Sequence, residues 1–550
     1  MTRSPWRRET MVAAVLSVPL ALLFTWTQVF PLNGIPVLGT DYGQLVWNMW
    51  SVDRAISSGE SPLHSDIVFD PIGTSLAAHV LTPGFFPVTA TVKLWRRVLG
   101  SFDGPEDLLY PMVAYKLAIG LSYAVIAFAT YAFLRRIGAS RLASLAVTIA
   151  YAFSAFNQLH APHLNHLSTA AILPLSAWSL VSLWEKPRLF PVIAIALLFG
   201  GGPYFGELIV FVWVTFLAIG AVTLARGETR AQVASRLSAL GGARIAAAFV
   251  IAVVMVSPFA FAWVSGGAQP MNVRQASFWS ANLAGFVVPN PSNQPWLSFM
   301  APLHRQVGKG VGGHEAFLGF VLLGSALVGL VRVRDFWTGL CGVLALAFLT
   351  LSLGPTLKIF GTETGLAMPY SFLMTVPPFS MGRTPVRCVL FALFFLTVPA
   401  ARFLSQIERK SVRGAAIVGV IAVFAGLEMW SPRPLAKVFQ SPLDLSRLVP
   451  GDVCNIPLTT LDGFAVLLQT QHRRRIVTGL VSRRSEAVAN HINGLGDLLD
   501  HQPEKFASTL LSWGVTNVIL EPGAPDGLET LLPPLGLNVI DLRRSEGRVQ

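Results

Sequence analysis

A long run without any charged side chain follows the first residues of this chain. Residues 11–40 contain no Asp, Glu, Lys or Arg, and Arg3, Arg7 and Arg8 come just before them. A helix needs about 20 mainly apolar residues to cross a bilayer, and basic flanks stay in the cytoplasm. We therefore expect an uncleaved first membrane span with a cytoplasmic N-terminus. A cleaved signal peptide is the alternative, but no small-x-small cleavage site follows Trp26.

The rest of the chain continues this pattern. Of its 550 residues, 53% are hydrophobic and 13% are charged, whereas soluble domains carry about 25% charged residues. Mean hydropathy is +0.57. The net charge of +12 comes from Arg and Lys clustered in short links such as 185–188 and 226–244, which is typical of membrane topology rather than of nucleic-acid binding. We predict a polytopic α-helical protein of the plasma (inner) membrane with about 11 transmembrane helices and no nucleic-acid partner.

Polar segments fall on the side opposite to the basic links. The transmembrane domain is predicted to cover 1–430, with outer segments at 31–110, 265–315 and 354–387. Within the first outer loop, 41–57 and 79–94 are expected to form interfacial or re-entrant helices. From 431 to 550, β-like runs at 453–458, 515–520 and 537–542 surround a helical run at 495–513, which predicts a small extracytoplasmic α/β domain.

Three polar residues of the first outer loop are candidates for chemistry. Asp41 directly follows the first apolar run, where a carboxylate suits a general base or a metal ligand; the alternative is an N-cap of the next helix. Asp70 precedes Pro71 and either lines a substrate site or forms a turn. His79 precedes the interfacial helix and either orients a ligand or is a boundary residue.

Two further groups of polar residues lie between apolar runs. His160, His163 and His166 are spaced three apart, which resembles metal-ligand spacing, but Pro162 breaks the helix and no acid lies beside them. A polar lining for a sugar or an ordinary loop are the alternatives. Glu207 follows three glycines and precedes an apolar span, so it is either a site residue or a helix-capping or snorkelling Glu.

Arg383 and Arg387 lie four residues apart just before a predicted span. The planar guanidinium donates two parallel hydrogen bonds to a phosphate, so the pair suits a phosphate clamp. Anchoring to lipid headgroups is the alternative.

Several stretches, taken in their order along the chain, resemble a bacterial, mostly uncharacterised branch of the C-type (GT-C) membrane glycosyltransferases. They are Asp41-Tyr42-Gly43-Gln44 with Trp47, Asp70-Pro71-Ile72-Gly73 with His79, Pro289-Asn290-Pro291-Ser292, His314-Glu315-Ala316-Phe317-Leu318-Gly319, and Pro377-Pro378-Phe379 with Arg383-Thr384-Pro385-Val386-Arg387. The likeness covers most of 1–430.

This resemblance implies a glycosyltransferase, hexosyl or pentosyl, that uses a polyprenyl-phosphate-linked sugar and inverts at the transferred carbon. The acceptor would be a cell-envelope glycan, lipid or protein, and membrane lipids surround the chain. Asp41 would be the base, Arg383 and Arg387 phosphate-binding, and Glu315 and His79 site-lining. Asp70, His163 and Glu207 complete the set of candidate substrate-binding residues. Some members need a divalent metal such as Mg or Mn, but Asp41 is followed by Tyr42 rather than by a second acid, which favours a single base without metal.

Three other functions compete with this one. A transporter or lipid-linked-glycan flippase predicts charges buried within the spans or broken helices in paired halves, and the spans here are almost free of charge. A non-catalytic envelope-assembly protein would depend on the C-terminal domain and not on Asp41. A ligase of the O-antigen type would move a whole glycan from a diphosphate carrier, so the donor would distinguish it.

Overall fold

A computed structural model describes residues 5–32, 34–35, 41–76, 79, 81, 83–99, 109–185, 246, 250, 272–290, 295–308, 316–375, 384–431, 437–438, 441–459, 463–480 and 485–543. The chain forms two compact units. Unit 1 comprises 1–26, 119–256 and 269–433, and unit 2 comprises 27–118, 257–268 and 434–550. The first polar segment therefore clusters with the C-terminal part of the chain rather than with the remaining helices, a grouping that the sequence pattern did not predict.

Most helices of the first 190 residues follow the apolar runs, but the helix expected at 79–94 spans Phe86–Leu99. The helices are α1 (Pro5–Val29), α2 (Tyr42–Ser57), α3 (Phe86–Leu99), α4 (Leu109–Arg136), α5 (Arg141–Ala152), α6 (Ala155–Leu159) and α7 (Leu164–Glu185). The later helices up to residue 430 are α8 (Val273–Phe278), α9 (Ala301–Val307), α10 (Phe320–Arg332), α11 (Phe336–Ser352), α12 (Pro369–Leu373), α13 (Cys388–Lys410) and α14 (Val412–Met429).

Several of these helices are long and apolar enough to cross a membrane. Within the described part of the chain, five segments meet this condition: Arg8–Val29, Tyr110–Arg136, Arg141–Leu159, Pro385–Lys410 and Val412–Met429; α10 and α11 are shorter apolar helices. Val343 and Leu346 of α11 are each 66% exposed, as side chains that face lipid should be. The chain is thus a membrane protein. The spans predicted at 189–225 and 245–264 lie almost wholly outside the described residues, so the predicted total is not tested.

Helix α13 lies at the centre of unit 1. It packs against α5, α10, α11 and α14, and most of its residues are buried. Phe348 of α11 stacks on Phe391 of α13 at a ring separation of 4.9 Å. A Cβ at Gly329 of α10 would lie 2.3 Å from the carbonyl oxygen of Pro399, so this glycine allows α10 and α13 to approach backbone to backbone.

The first turn of α10 is capped by a side chain from another helix. The buried Glu428 carboxylate, near the end of α14, accepts hydrogen bonds from the backbone N–H groups of Phe320 and Val321. The preceding Gly319 has a φ of +82°, which lets the chain turn into the helix beside Glu428. Glu428 therefore satisfies backbone donors that α10 itself cannot pair.

The C-terminal part of unit 2 contains a three-stranded parallel sheet. Its strands are β7 (Asp452–Ile456), β8 (Val515–Leu520) and β9 (Asn538–Asp541), in the order β7–β8–β9. The helices are α15 (Gly463–His472), α16 (Glu486–His501), α17 (Pro503–Ser512) and α18 (Leu528–Leu531). The strands lie where the β-like runs predicted them, because alternate side chains of β7 and β8 enter one apolar core with α16 and α17.

Short antiparallel pairs complete the described strands. They are β1 (Gly34–Ile35) with β6 (Lys437–Val438), β2 (His64–Ser65) with β3 (Thr74–Ser75), and β4 (Thr356–Ile359) with β5 (Thr362–Ala367). Ile476 forms parallel bridges with both Val68 and Val453. The first polar segment is therefore joined to the edge of the C-terminal sheet within unit 2.

Candidate functional site

Asp41 occupies the N-cap position of α2 in unit 2, and its side chain is exposed. Its carboxylate makes no capping hydrogen bond to the start of α2. Asp41 therefore has the position of an N-cap residue, as the alternative reading predicted, but its side chain does not make the capping hydrogen bond. A carboxylate exposed at the positive end of a helix dipole is stabilised in its ionised form, which is the form that a general base needs. The assignment of Asp41 as the base stays a prediction.

Helix α2, whose aromatic residues predicted an interfacial helix, is buried by other parts of unit 2. Of its 16 residues, 13 are buried, including Trp47 and Trp50. The reason is tertiary: α15, more than 400 residues later in the chain, covers it. Helix α3, in contrast, leaves the apolar side chains of Leu94, Trp95 and Val98 exposed.

Two close contacts hold α2 against α15. The Trp47 Nε1–H donates to Gln469 Oε1 at 2.7 Å, and Gln469 Nε2 in turn donates to the carbonyl oxygens of Ile67 and Arg474. A Cβ at Gly43 would lie 1.8 Å from the carbonyl oxygen of Gly463, so only glycine permits this approach. These contacts fix the helix that carries Asp41 at its N-cap.

His79 packs on α2 at Gln44 and Asn48, in the first two turns after Asp41. Its Nε2–H donates to Asn48 Oδ1 at 2.8 Å, and its Nδ1 accepts from Gln44 Nε2 at 3.2 Å. Gln44 and Asn48 are four residues apart and so share a face of the helix. Burial lowers the pKa of His79 from 6.5 to about 3, so the imidazole is neutral at physiological pH. His79 therefore positions the face of α2 that begins with Asp41; its predicted contact with a ligand is not tested.

A second buried polar group ties α2 to its neighbours. The buried Asp53 carboxylate accepts from Lys93 Nζ at 2.8 Å and from the Tyr110 hydroxyl at 2.9 Å. Lys93 lies on α3 and Tyr110 at the start of α4. Asp53 thus joins three elements of unit 2, a role that sequence reasoning missed and that only its contacts reveal.

Asp70 is buried against the C-terminal part of unit 2. It is 2% exposed, and its carboxylate lies 3.4 Å from Arg475 Nη1, while Asp66 lies 3.4 Å from Nη2 of the same guanidinium. His491 Nε2–H donates to the Asp70 carbonyl oxygen at 3.1 Å. Burial raises the pKa of Asp70, and Arg475 offsets this only in part. These contacts tie the loop to the later domain, and a role of Asp70 in binding substrate stays a prediction.

The three histidines of unit 1 meet in the turn between α6 and α7. The ring centroids of His160 and His166 are 4.1 Å apart, and His163 lies 5.4 Å from His160 and 5.3 Å from His166. The ring of the buried Phe156 lies nearly parallel to that of His166, with centroids 6.0 Å apart. Among the described residues, no group of His, Cys, Asp and Glu is arranged to hold a metal ion.

Arg387, at the start of α13 in unit 1, is close enough to His166 for their charges to interact. Sequence spacing alone did not relate Arg387 to the histidines, which lie some 220 residues earlier. The other candidates, Glu207, Glu315 and Arg383, lie outside the described residues, so their predicted roles are untouched.

Comparison with known proteins shows what the fold resembles. No protein-family model matches the sequence, and no curated protein matches it. The cryo-EM structure of the arabinofuranosyltransferase AftD from Mycobacteria is similar over 94% of this chain, with a TM-score of 0.53 and 14% sequence identity. This chain covers 35% of AftD, so it spans about a third of that protein's length.

A second structure is that of the archaeal oligosaccharyltransferase AglB from Archaeoglobus fulgidus. The match covers 93% of this chain and 69% of the AglB chain, with a TM-score of 0.44 and 11% sequence identity. The likeness to AftD covers nearly the whole chain. The chain therefore has the GT-C-like membrane fold that its motifs predicted.

Proposed function

We propose that this chain is a glycosyltransferase that transfers a sugar from a polyprenyl-phosphate carrier to an acceptor outside the cytoplasm. The observation that carries the proposal is the fold shared with AftD over 94% of the chain, a protein whose name describes transfer of arabinofuranose. An exposed carboxylate at the head of a buried, rigidly held helix supports it further. Catalytic groups act best when rigid elements hold them.

The chemistry assigned to Asp41 is proton abstraction. As the acceptor hydroxyl attacks the anomeric carbon, its proton passes to the Asp41 carboxylate. The bond from that carbon to the phosphate oxygen breaks on the opposite face, so the configuration inverts and the phosphate keeps the electron pair. Cations stabilise the departing phosphate, and Arg383 and Arg387 are the residues proposed for this role.

Transfer by purified protein in lipid nanodiscs tests the proposal. A panel of polyprenyl-phosphate sugars is offered to the wild type, to Asp41→Asn, and to Asp497→Asn, a matched change of an exposed carboxylate on α16. Loss of a general base typically costs about 10²–10⁴-fold in rate, so we expect a loss of that size in Asp41→Asn alone.

Two results would contradict the proposal. Full transfer by Asp41→Asn would remove Asp41 as the base. Binding of the lipid-linked sugars without turnover by the wild type would favour a carrier of lipid-linked glycans instead.

A further inference from the structure

We infer that an apolar rim beyond α10 and α11 is embedded in the outer leaflet of the membrane, at the boundary between headgroups and acyl chains. The rim consists of residues 283–287 and of the β4–β5 hairpin, 356–367. Both segments belong to stretches that the sequence pattern predicts to lie outside the membrane, 265–315 and 354–387. The inference goes beyond the proposed function and does not depend on it, and it concerns unit 1 only.

Helices α10 and α11 are too short to cross the hydrocarbon core by themselves. They have 13 and 17 residues, so at 1.5 Å per residue they are about 20 Å and about 26 Å long. The hydrocarbon core of a bilayer is about 30 Å thick. Because the basic link with Arg332 and Arg334 belongs at the cytoplasmic surface, the missing length lies beyond Phe320 and Ser352, at the other ends of the two helices.

The rim is fastened to those same ends by backbone hydrogen bonds. The N–H of Ala281 donates at 2.8 Å to the carbonyl oxygen of Ser352, the last residue of α11. The N–H of Leu318, two residues before α10, donates at 3.1 Å to the carbonyl oxygen of Phe286. The rim therefore continues the surface of both helices at the point where the helices stop.

A buried asparagine joins the two parts of the rim. The Oδ1 atom of Asn282 accepts hydrogen bonds from the backbone N–H groups of Ala284 and Phe360, each at 3.1 Å. Its Nδ2 donates to the carbonyl oxygen of Val307 at 3.3 Å. Phe360 lies at the tip of the hairpin, between β4 and β5, so the tip is held against residues 283–287.

The rim exposes large apolar side chains. Phe360 and Gly361 form the two-residue turn of the hairpin, with φ values of +47° and +80°, and hairpins in water favour Asn-Gly or Asp-Gly there. An aromatic side chain thus replaces the usual polar one at the tip. The exposed large apolar side chains of the rim are Leu283, Val287, Ile359, Phe360 and Leu366.

Charged residues are nearly absent from the rim and its flanks. Residues 275–290 contain none, and Lys358 and Glu363 are the only ones in 336–382. Lys358 is buried, and its Nζ donates to the carbonyl oxygen of Ser277 and lies 3.9 Å from Glu363 Oε1. The two charges of the hairpin are therefore paired with each other, which lowers the cost of placing them next to lipid.

Lipid is the partner that the position of the rim selects. The exposed Val343 and Leu346 of α11 face lipid, and no charged residue follows them before Lys358. The apolar surface of the rim is thus continuous with the membrane surface of the helix that leads to it. The open strand edges of the hairpin need water or headgroups as partners, which places its backbone among the headgroups and its apolar side chains on the acyl chains.

Spin labels show whether the rim contacts lipid, water or protein. Leu283→Cys and Leu366→Cys carry a nitroxide in nanodiscs that hold one copy of the chain. Collisions with oxygen, which concentrates in lipid, are compared with collisions with a water-soluble nickel chelate. Leu346→Cys on α11 is the lipid control, and Leu531→Cys, an exposed leucine on α18 of unit 2, is the water control. The three native cysteines are buried, so the labelled wild type supplies the background.

We expect the ratio of oxygen to nickel collisions at Leu283 and Leu366 to be about tenfold above that at Leu531, because a polar chelate is excluded from an apolar phase. The ratio should approach that at Leu346. A ratio near that of Leu531 at either position shows water and overturns the inference. Few collisions with both reagents show a protein contact and overturn it as well.

Each labelled variant is compared only if its unfolding temperature matches that of the wild type. Phe360→Cys, at the tip of the hairpin, takes the place of Leu366→Cys if the latter does not fold, and the same ratio is expected of it. The readout requires no sugar donor, so it is independent of whether the chain transfers a sugar.

Discussion

Removing the imidazole of His79 should abolish most of the acid sensitivity of α2 packing. The pKa of His79 is lowered from 6.5 to about 3 by burial, while in an opened form water restores a value near 6.5. Because the opened form binds more protons below 6.5, the packing of α2 weakens as the pH falls from 6.5 towards 3 and is constant above 6.5. At pH 5 the protonated imidazole of the opened form outnumbers the neutral one about thirtyfold. The packing of α2 is therefore about 2 kcal/mol less stable at pH 5 than above pH 6.5.

Hydrogen exchange of the α2 amides measures this effect. Protection factors for 42–57 are compared between pH 7.5 and pH 5.0 after correction for intrinsic exchange. In the wild type we expect protection to fall about thirtyfold. In His79→Gln, whose amide still bonds Asn48 but does not titrate, we expect little change. His501→Gln, an exposed histidine, should behave as the wild type.

The reasoning would be refuted if His79→Gln lost as much protection at pH 5.0 as the wild type. His472 on α15 has the same lowered pKa, about 3. An acid response that persists in α15 of the variant is therefore expected and does not bear on His79.

Two further predictions concern packing. Gly43→Ala places a Cβ 1.8 Å from the Gly463 carbonyl oxygen and should lower the free energy of unfolding by about 1–3 kcal/mol or more. Thermal unfolding measures this effect. Gly324→Ala is the control, because a Cβ at that position meets nothing within 4 Å. Equal unfolding temperatures would show that α2 and α15 adjust freely. Glu428→Ala removes the acceptor for two backbone N–H groups of α10 and should lower the free energy of unfolding by about 1–3 kcal/mol. Glu428→Gln keeps an acceptor oxygen and should lower it less. A wild-type unfolding temperature in both variants would contradict the capping role.

The membrane helices were predictable because their signal is local. A charge-free run such as 11–40 or 142–184 has few ways to fold in a bilayer other than as spanning helices. The β-like runs of the C-terminal part were predictable for a similar reason, since a strand buried on both faces reads as a short apolar run. In both cases the backbone element follows from side chains within about 20 residues of one another.

The burial of α2 was not predictable from the sequence, because a half-exposed amphipathic helix and a buried helix share the same aromatic residues. What decides between them is the partner, and Gly43, Trp47 and Gln469 show that the partner is α15. Gly43 and Gln469 give no sign of this contact in the sequence, because glycine and glutamine are also common on protein surfaces and in loops.

The sequence by itself determined that the chain crosses a membrane, which apolar runs form long helices, where the three parallel strands lie, and which polar residues lie apart from the apolar runs. Those properties depend on neighbours along the chain and on the cost of charge in a bilayer. Only the tertiary structure decided that the loop carrying Asp41 packs with the C-terminal sheet, that Asp70 faces Arg475, and that the three histidine rings lie together. The first two are contacts between residues hundreds of positions apart, whose partners are selected by shape and charge in the folded protein, which no local pattern encodes.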